Sequence, residues 1–381
     1  MVETKRITDW LTRLVQIPSV GPENAGPRSG DSSEARLAAE LESLFSELGA
    51  EVETEDVYPG RPNVYATWRG ESERWLAVDI HMDTVSIETM EGDPFDGRIE
   101  GGRVYGRGAV DTKATFAILL ALLEWMRERG TRPPVNLVVC ATADEETGAH
   151  GAAVFRDWVR RKGLRLDELI VAEPTLCGPI NGHKGAVGVI LEISGTAAHS
   201  SKPELGQNAI TAAVPVIQAL VAEQERLRTT PVATELGPGT LSVTMIKGGQ
   251  ALNIIPDRCT VSVDRRLTAG ESAADEAGRI VALATAASPL PVKATILHEL
   301  NPFYEAASKA LVQQLSEWSG RAPTVAAYAS NAWAYEGLAG TVVLFGPGSI
   351  EQAHRDVEWV EISELEQAAR LYLRWLGVSE S

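Results

Sequence analysis

Cysteine, positive charge and long apolar runs are all scarce in this 381-residue sequence. Its three cysteines, Cys140, Cys177 and Cys259, are odd in number and widely spaced, which excludes a disulfide framework and favours a reducing, cytoplasmic setting. Lysine and arginine total 35 against 52 acidic residues, and the net charge of −17 argues against nucleic acid or an anionic membrane as a partner. No apolar run is long enough to span a bilayer. These exclusions leave a globular protein, and its length predicts two or three domains. Hydrophobic residues make up 44% of the sequence, enough for a sizeable core.

Alternating strand and helix patterns predict an α/β fold with a mostly parallel sheet over residues 1–184 and 299–381. Runs such as 75–80 and 135–140 are almost continuously apolar, as in strands covered on both faces. The order of the predicted elements changes over 185–298. There the order strand, helix, strand, strand, helix, strand is typical of a ferredoxin-like (βαββαβ) domain. We therefore predict a discontinuous first domain with a second domain inserted at 185–298.

Polar side chains follow three of the predicted strands at the point where each strand ends. His81 and Asp83 follow one strand, the run Asp144-Glu145-Glu146 follows another, and Glu173 follows a third. In open α/β sheets the carboxyl ends of the strands border the ligand crevice. Asp111 lies just before a strongly apolar helix, near a helix N-terminus, where negative charge is favoured. We expect these side chains to form one polar site.

The histidines differ in their context. His81 and His354 both follow strand ends and are candidate metal ligands. His150 and His298 are expected to be ordinary surface or packing residues, and His183 stays undecided. Two imidazoles with three or four carboxylates form a mixed nitrogen and oxygen set, which suits zinc, with cobalt or manganese as substitutes.

The carboxylates are numerous enough for two ions. A carboxylate shared between two metals is how dinuclear hydrolases hold a water molecule, and Asp111 is the natural bridge. Neighbouring side chains at a strand end point in different directions, so one of Glu145 and Glu146 can bind metal while the other acts as a base. Asp83 lies two residues after His81, a spacing that lets its carboxylate fix the imidazole tautomer.

Five segments, in this order, resemble the motifs of the cocatalytic zinc aminoacylases and carboxypeptidases, a family that includes acetylornithine deacetylase, succinyl-diaminopimelate desuccinylase and glutamate carboxypeptidase. The segments are His81-Met82-Asp83-Thr84-Val85, Gly106-Arg107-Gly108 with Asp111-Thr112-Lys113, Asp144-Glu145-Glu146-Thr147-Gly148, Glu173-Pro174-Thr175 and the loop around His354. The likeness covers nearly the whole chain. Within the family, the segments 182–185 and 346–354 look most like acetylornithine deacetylase.

The resemblance implies a role for each of these residues. The ligands that it implies for two zinc ions are His81 and Glu173 on one, Glu146 and His354 on the other, and Asp111 as the bridge. It makes Glu145 the general base toward a metal-held water and Asp83 the residue that orients His81. It also implies a cis peptide bond between Asp111 and Thr112.

For the inserted domain, the resemblance implies a homodimer in which each subunit lends residues to the partner's site. His199 matches the histidine that reaches the partner's centre as an oxyanion donor. Asn253 and Arg266 match residues that hold the substrate carboxylate, a task that suits an arginine fork, with the neighbouring Arg265 as the alternative. Asn331 departs from the pattern, because relatives usually carry an acid there, and this departure concerns the substrate pocket rather than the metal site.

The sequence thus predicts a zinc-dependent amidohydrolase that cleaves the acyl amide of a small N-acyl amino acid, as acetylornithine deacetylase does. A succinyl-diaminopimelate desuccinylase and a metallo-dipeptidase or carboxypeptidase are the enzymatic alternatives. A non-catalytic dimeric metal-binding module is the alternative from another class. The presence of Glu145 beside a full ligand set argues against it, because a binding protein has no need of a base.

Overall fold

The computed structural model describes residues 2–30 and 32–378, and the chain divides into two compact units. Unit 1 comprises Met1–Asn181, Glu305–Thr324 and Ser330–Ser381, and unit 2 comprises Gly182–Tyr304 and Val325–Ala329. Within the described ranges, no helix combines the length and the apolar character needed to cross a membrane.

The helices and strands follow the chain in this order. Up to residue 171 they are α1 (Thr4–Val15), α2 (Ala35–Glu47), β1 (Glu51–Tyr58), β2 (Arg61–Trp68), β3 (Trp75–His81), β4 (Ile99–Glu100), β5 (Arg103–Tyr105), α3 (Lys113–Glu128), β6 (Asn136–Thr142), α4 (His150–Arg161) and β7 (Leu166–Val171). The next are β8 (Ile180–His183), β9 (Gly185–Ser194), β10 (Ala198–His199), α5 (Ala209–Thr229), β11 (Thr240–Gly248), β12 (Ile254–Ile255), β13 (Arg258–Leu267), α6 (Ala273–Ala287) and β14 (Val292–Leu300). The last are β15 (Phe303–Tyr304), α7 (Ala310–Ser319), β16 (Thr324–Ala326), β17 (Ala339–Leu344), β18 (Trp359–Glu361) and α8 (Ile362–Trp375).

The main sheet of unit 1 has the strand order β1-β2-β6-β3-β7-β17. Strands β6, β3, β7 and β17 run parallel to one another, and β1 and β2 are antiparallel additions beside β6. Helix α3 packs against α1, α8 and β3 in the apolar core. Tyr65 alternates with the core residues Val64 and Ala66 and stacks on Phe155 and Trp158 of α4, on the opposite face of the sheet. The predicted α/β class with a mostly parallel sheet is confirmed.

Unit 2 contains a four-stranded antiparallel sheet in the order β11-β13-β9-β14. Strand β13 lies between β9 and β11, so the β9-α5-β11 segment is split by an antiparallel strand, as in the predicted ferredoxin-like pattern. Helices α5 and α6 contribute to an apolar core with the inward side chains of the sheet. In β13, the odd-numbered residues from Cys259 to Leu267 are buried. Because of this alternation, Arg265 is buried and its neighbour Arg266 is exposed.

Candidate metal centre

Four neighbouring parallel strands of unit 1 supply the predicted site residues at one edge of the sheet. His81 is the last residue of β3, and Glu173 follows β7 by two residues. Glu146 lies in the turn after β6, and His354 lies in the loop after β17. Because these four strands are parallel and adjacent, their carboxyl ends meet at the same edge. The fold therefore brings together side chains that lie up to 273 positions apart in the sequence, from His81 to His354.

Two groups of three side chains at this edge share Asp111. The first is His81, Asp111 and Glu173, and the second is Asp111, Glu146 and His354; in each group the potential ligand atoms lie within 4.8 Å of one another. Nε2 of His81 is 3.0 Å from Oδ1 of Asp111, and Nε2 of His354 is 3.3 Å from Oδ2. Nε2 of His354 is also 3.1 Å from Oε2 of Glu146. The two oxygens of Asp111 thus face different histidines, which is the geometry of a bridging carboxylate.

Asp111 is set in place by a buried ion pair behind it. Oε1 of Glu358 accepts hydrogen bonds from the N–H groups of Val110, at 3.0 Å, and Asp111, at 3.3 Å. Its Oε2 accepts a hydrogen bond of 2.7 Å from Nη1 of Arg107, and both side chains are at most 2% exposed. The peptide bond from Asp111 to Thr112 is cis, as the family resemblance implied. Helix α3 begins at the next residue.

Hydrogen bonds shift the pKa values of the groups around Asp111. Burial works to raise the pKa of Asp111, but the hydrogen bonds with His354 and His81 outweigh it and hold that pKa well below its usual range. Hydrogen bonds to Asp111 and Glu146 raise the pKa of His354 to about 10. Burial works to lower the pKa of His81, yet the hydrogen bond and charge of Asp111 raise it well above its usual range. Asp111 therefore raises the pKa of both histidines, and both histidines lower the pKa of Asp111.

The donor set fits divalent metal ions. Two imidazoles and three carboxylates form a mixed nitrogen and oxygen set that suits zinc and related ions. Burial, and then the neighbouring carboxylates of Glu145 and Asp111, raise the pKa of Glu173 well above its usual range. Acids crowded in this way are stabilised in their ionised form by a nearby cation.

Glu145 lies beside the two groups without belonging to either. Its side chain is only partly exposed, and burial raises the pKa of its carboxyl well above the usual range. His81 opposes this rise, and the acids Glu146, Asp83 and Asp111 add to it. A carboxyl group next to the candidate metal ligands but outside both groups is a candidate general base.

Asp83 contacts His81 in a different way from the prediction. Nδ1 of His81 donates to the main-chain carbonyl oxygen of Asp83 at 2.9 Å, whereas Oδ1 of Asp83 lies 3.7 Å from Nδ1. The Asp83 carboxylate instead accepts hydrogen bonds from the N–H groups of Glu145, at 3.0 Å, and Glu146, at 2.9 Å. Burial raises the pKa of Asp83 to about 7, with His81 opposing the rise. The main chain of Asp83 therefore orients the imidazole, and its carboxylate fixes the turn that carries the two glutamates.

Asn331 belongs to a buried polar cluster behind the strand ends. Its Nδ2 donates to Oγ1 of Thr142 at 3.1 Å, and Oγ1 of Thr142 donates to Oδ1 of Asp79 at 2.7 Å. Oδ2 of Asp79 accepts a hydrogen bond of 2.7 Å from the hydroxyl of Tyr335. All four side chains are buried, and burial raises the pKa of Asp79. Asn331 therefore contacts Thr142 at the end of β6. The carboxyl group of this buried cluster is that of Asp79.

We expect the Asn331→Asp variant to be less stable than the wild type by roughly 1–3 kcal/mol. An ionised aspartate cannot donate to Thr142, and protonating it, or ionising it beside buried Asp79, costs free energy. Urea unfolding of both proteins measures the difference. The matched control is Asn208→Asp, because Asn208 caps helix α5 by accepting the N–H of Thr211 at 3.1 Å, a task that aspartate performs equally well. An Asn331→Asp variant as stable as this control would contradict the expectation.

Two predicted residues of unit 2 are neighbours. His199 pairs with Ile254 where β10 meets β12, and the N–H of Ser200 donates to the carbonyl oxygen of Asn253 at 2.9 Å. The His199 and Asn253 side chains are both exposed. Nδ1 of His199 accepts a hydrogen bond from the N–H of Ser201 at 3.2 Å. In the neutral imidazole the proton therefore resides on Nε2, which leaves that nitrogen as a donor.

Arg265 and Arg266 differ in their burial. Arg265 is fully buried, and its Nη2 lies 2.6 Å from Oε1 of Glu271 and 3.0 Å from Oε2 of Glu276. The Arg266 side chain is 47% exposed and pairs only with its neighbour Asp264 among the described ion pairs, at 2.9 Å. Of the two, Arg266 is the one that a ligand can reach.

Buried polar residues remote from the motifs hold the site together, and the sequence did not predict them. They are Glu34, Arg61, Asn63 and Glu358. Asn63, Glu34 and Glu358 accept hydrogen bonds from the N–H groups of Ala143, Asp144 and Asp111, and Arg61 donates to Glu34. Acidic, basic and amide residues are usually exposed, so their identity alone gave no sign of burial. Alternation along β2, where Arg61 and Asn63 share one face, was the one available signal.

With this geometry established, similarity to known proteins is informative. Residues 77–377 match the model of peptidase family M20/M25/M40. The chain belongs to this family. It is similar to an acetylornithine deacetylase of Salmonella heidelberg, with 33% identity over 358 residues that cover 91% of each chain.

Solved structures of this peptidase family and of similar enzymes share the fold. A tripeptidase from Staphylococcus aureus matches with a TM-score of 0.77 and 21% identity, covering 99% of this chain and 98% of the other. A dinuclear metal-binding M20 peptidase from Bacillus subtilis matches with a TM-score of 0.67 and 16% identity, covering 98% and 97%. Membership of the family makes the chain a metallo-hydrolase that acts on amide bonds. The predicted family and enzyme class are confirmed.

Proposed function

We propose that the protein is a zinc-dependent deacylase that cleaves the acyl amide of a small N-acyl amino acid, with N-acetylornithine as the preferred candidate. The observation that carries this proposal is the pair of ligand groups that share Asp111, with Glu145 beside them. The choice of substrate is supported by the relative of 33% identity that is named acetylornithine deacetylase.

The described geometry supports two ions per chain. His81 and Glu173 would hold one ion, Glu146 and His354 would hold the other, and Asp111 would bridge them. When bound, such ions supply Lewis acidity, which polarises an amide carbonyl and lowers the pKa of a water molecule. Zinc is the first choice for this donor set, with cobalt or manganese as substitutes.

Glu145 moves the protons in the proposed reaction. One oxygen of its carboxylate accepts a proton from the attacking water, and the same carboxyl group then gives that proton to the leaving amine nitrogen. The position of Glu145 suits this task, because its carboxyl lies beside both ligand groups without belonging to either. Asp83 keeps Glu145 in position by accepting its backbone N–H at 3.0 Å.

Residues of unit 2 are proposed to bind the rest of the substrate. Nε2 of His199 would donate to the oxyanion, and the neighbouring Asn253 would share in substrate binding. The exposed guanidinium of Arg266 would hold the substrate carboxylate through paired hydrogen bonds.

A homodimer formed through the inserted domain is part of the proposal. Exposed apolar side chains follow one another along helix α5, namely Ile210, Val214 and Val221, and Met245 and Ile246 are exposed on β11. Strand β11 is an edge of its sheet, and an edge strand with apolar side chains favours pairing with another chain. The three cysteines are free and buried, which fits the proposed cytoplasmic setting.

Mixing the Glu145→Gln and His199→Ala variants is expected to restore part of the activity that each variant has lost. In a hybrid dimer, one centre combines an intact Glu145 with the intact His199 of the partner, so that centre can turn over. The mixture is partly unfolded in denaturant and refolded together, and amine release is compared with each variant refolded alone. A mixture no more active than its components, although light scattering shows dimers, would contradict the shared site.

Amine release by the zinc-reconstituted protein tests the proposed substrate. The panel contains N-acetylornithine, other N-acetyl amino acids, N-succinyl-diaminopimelate and simple dipeptides. Selective turnover of N-acetylornithine is the expected result. Preference for the succinyl compound or for dipeptides would instead identify a desuccinylase or a dipeptidase. Turnover of no acyl amino acid and no dipeptide by the zinc-loaded enzyme would contradict the proposal.

A further inference from the structure

The turn that carries Glu145 and Glu146 is fixed by side chains from three other parts of unit 1. We call residues Ala143–Glu146 the acidic turn. Its four successive N–H groups all donate to side chains: that of Ala143 to Asn63 Oδ1 at 3.0 Å, that of Asp144 to Glu34 Oε1 at 3.2 Å, and those of Glu145 and Glu146 to the Asp83 carboxylate at 3.0 and 2.9 Å. A tight turn normally leaves such groups to water or to its own backbone. Here external acceptors determine its conformation.

The backbone of the acidic turn needs this support. Asp144 has a φ of 69°, in the left-handed region that residues other than glycine adopt at an energetic cost. Its carboxylate accepts hydrogen bonds from the hydroxyl groups of Thr147, at 2.7 Å, and Tyr58, at 3.2 Å. Glu145 and Glu146 directly follow this strained position, so a change in the backbone of Asp144 would move both glutamates.

Glu34 and Arg61 form a buried ion pair behind Asp144. Nε of Arg61 donates to Oε2 of Glu34 at 2.9 Å, and Nη2 donates to Oε1 at 2.7 Å. The Glu34 side chain is fully buried and that of Arg61 is 9% exposed. The same Oε1 of Glu34 accepts the N–H of Asp144, and Nη2 of Arg61 lies 3.6 Å from Oδ1 of Asp144. The pair therefore contacts both the backbone and the side chain of the strained residue.

We propose that the Glu34–Arg61 ion pair is a positioning device for the hydrolytic centre, which sets the direction of the Glu145 and Glu146 carboxylates through the acidic turn. Glu34 and Arg61 touch neither substrate nor ions in this account. They act through Asp144, whose backbone they hold. The proposal rests on the proposed function, because it assigns Glu145 and Glu146 their roles as base and ligand.

The Glu34→Gln and Arg61→Lys variants test this role. Glutamine keeps an oxygen for the N–H of Asp144 but presents an amide to Arg61, and lysine keeps the charge but cannot bind both oxygens of Glu34 at once. We expect a fall of roughly 10- to 100-fold in kcat or in zinc affinity, with KM close to that of the wild type. The matched control is Glu23→Gln, because Glu23 also bonds to Arg61, at 3.0 Å, but is 49% exposed and on the outer side of the pair.

Three measurements are made well below the melting temperature of each variant: kcat, KM and zinc affinity by competition with a chromophoric chelator. Wild-type values of all three in Arg61→Lys and in any folded Glu34→Gln, with only a lower melting temperature, would show a merely structural pair and overturn the proposal. An equal loss in Glu23→Gln would also overturn it. If the wild type cleaves no substrate of the panel, the proposed function fails, and the zinc affinities still decide whether the ion pair positions the centre.

Discussion

The Glu145→Gln variant is expected to lose turnover by roughly 10²- to 10⁴-fold while it keeps both metal ions. Glutamine has nearly the same shape as glutamate, but its amide cannot accept a proton from water and return it to the leaving nitrogen. Glu145 belongs to neither ligand group, so its loss leaves the five proposed ligands in place. Stopped-time amine release gives the activity, and metal analysis of the same sample gives the number of ions per chain.

Two further variants show whether the effect belongs to Glu145. Glu146→Gln changes the adjacent residue, whose Oε2 lies 3.1 Å from Nε2 of His354, and should lower the metal content as well as the activity. Glu51→Gln, on the exposed strand β1, should change neither. A Glu145→Gln enzyme with wild-type turnover would remove Glu145 from the mechanism, and a loss of metal equal to that of Glu146→Gln would make it a ligand.

The Asp111→Asn variant is expected to bind at most one ion per chain and to lose activity. Each oxygen of Asp111 faces one histidine, and an amide offers a single oxygen, so the bridge cannot form. The loss of zinc affinity should exceed the roughly 10- to 100-fold change that follows from removing an outer hydrogen-bonding partner of a ligand. Titration of the metal-free variant with zinc, in competition with a chelator, measures the stoichiometry and the affinity together.

The shared position of Asp111 distinguishes it from the other acids. Glu173→Gln should weaken one ion and leave the group of Glu146 and His354 able to bind the other. The matched control is Asp157→Asn, at a side chain that is 50% exposed, which should change neither zinc affinity nor activity. Two tightly bound ions in Asp111→Asn would contradict the bridging role.

The metal-centre residues could be predicted because each follows an apolar strand or precedes an apolar helix. His81 and Glu173 are polar residues at the ends of buried parallel strands, and parallel strands bring such ends to one edge. The family motifs then gave each residue a role. The sequence alone could not show which atoms meet, and Asp83 illustrates this: its spacing from His81 was informative, yet the contact is made by its main-chain carbonyl.

The residues that support the site could not be predicted in the same way. Glu34 accepts a hydrogen bond from the N–H of Asp144, 110 positions later in the chain. A local sequence pattern cannot predict a contact between residues so far apart. Arg265 is different, since the apolar residues Val261, Val263 and Leu267 share its odd-numbered face of β13. The alternation along β13 is therefore a local signal from which a buried Arg265 and an accessible Arg266 could be inferred. Packing partners are set by the fold, whereas the facing direction along a strand is already present in the sequence.

Titration of the metal-free protein with zinc, with amine release from the best substrate followed in the same samples, tests most directly whether the two groups sharing Asp111 form a dinuclear hydrolytic centre. We predict that two ions bind per chain, that activity appears only as they bind, and that a chelator removes both together. Full activity in protein shown to contain no metal would contradict the account, as would two bound ions that leave the protein inactive toward every acyl amino acid and peptide tested.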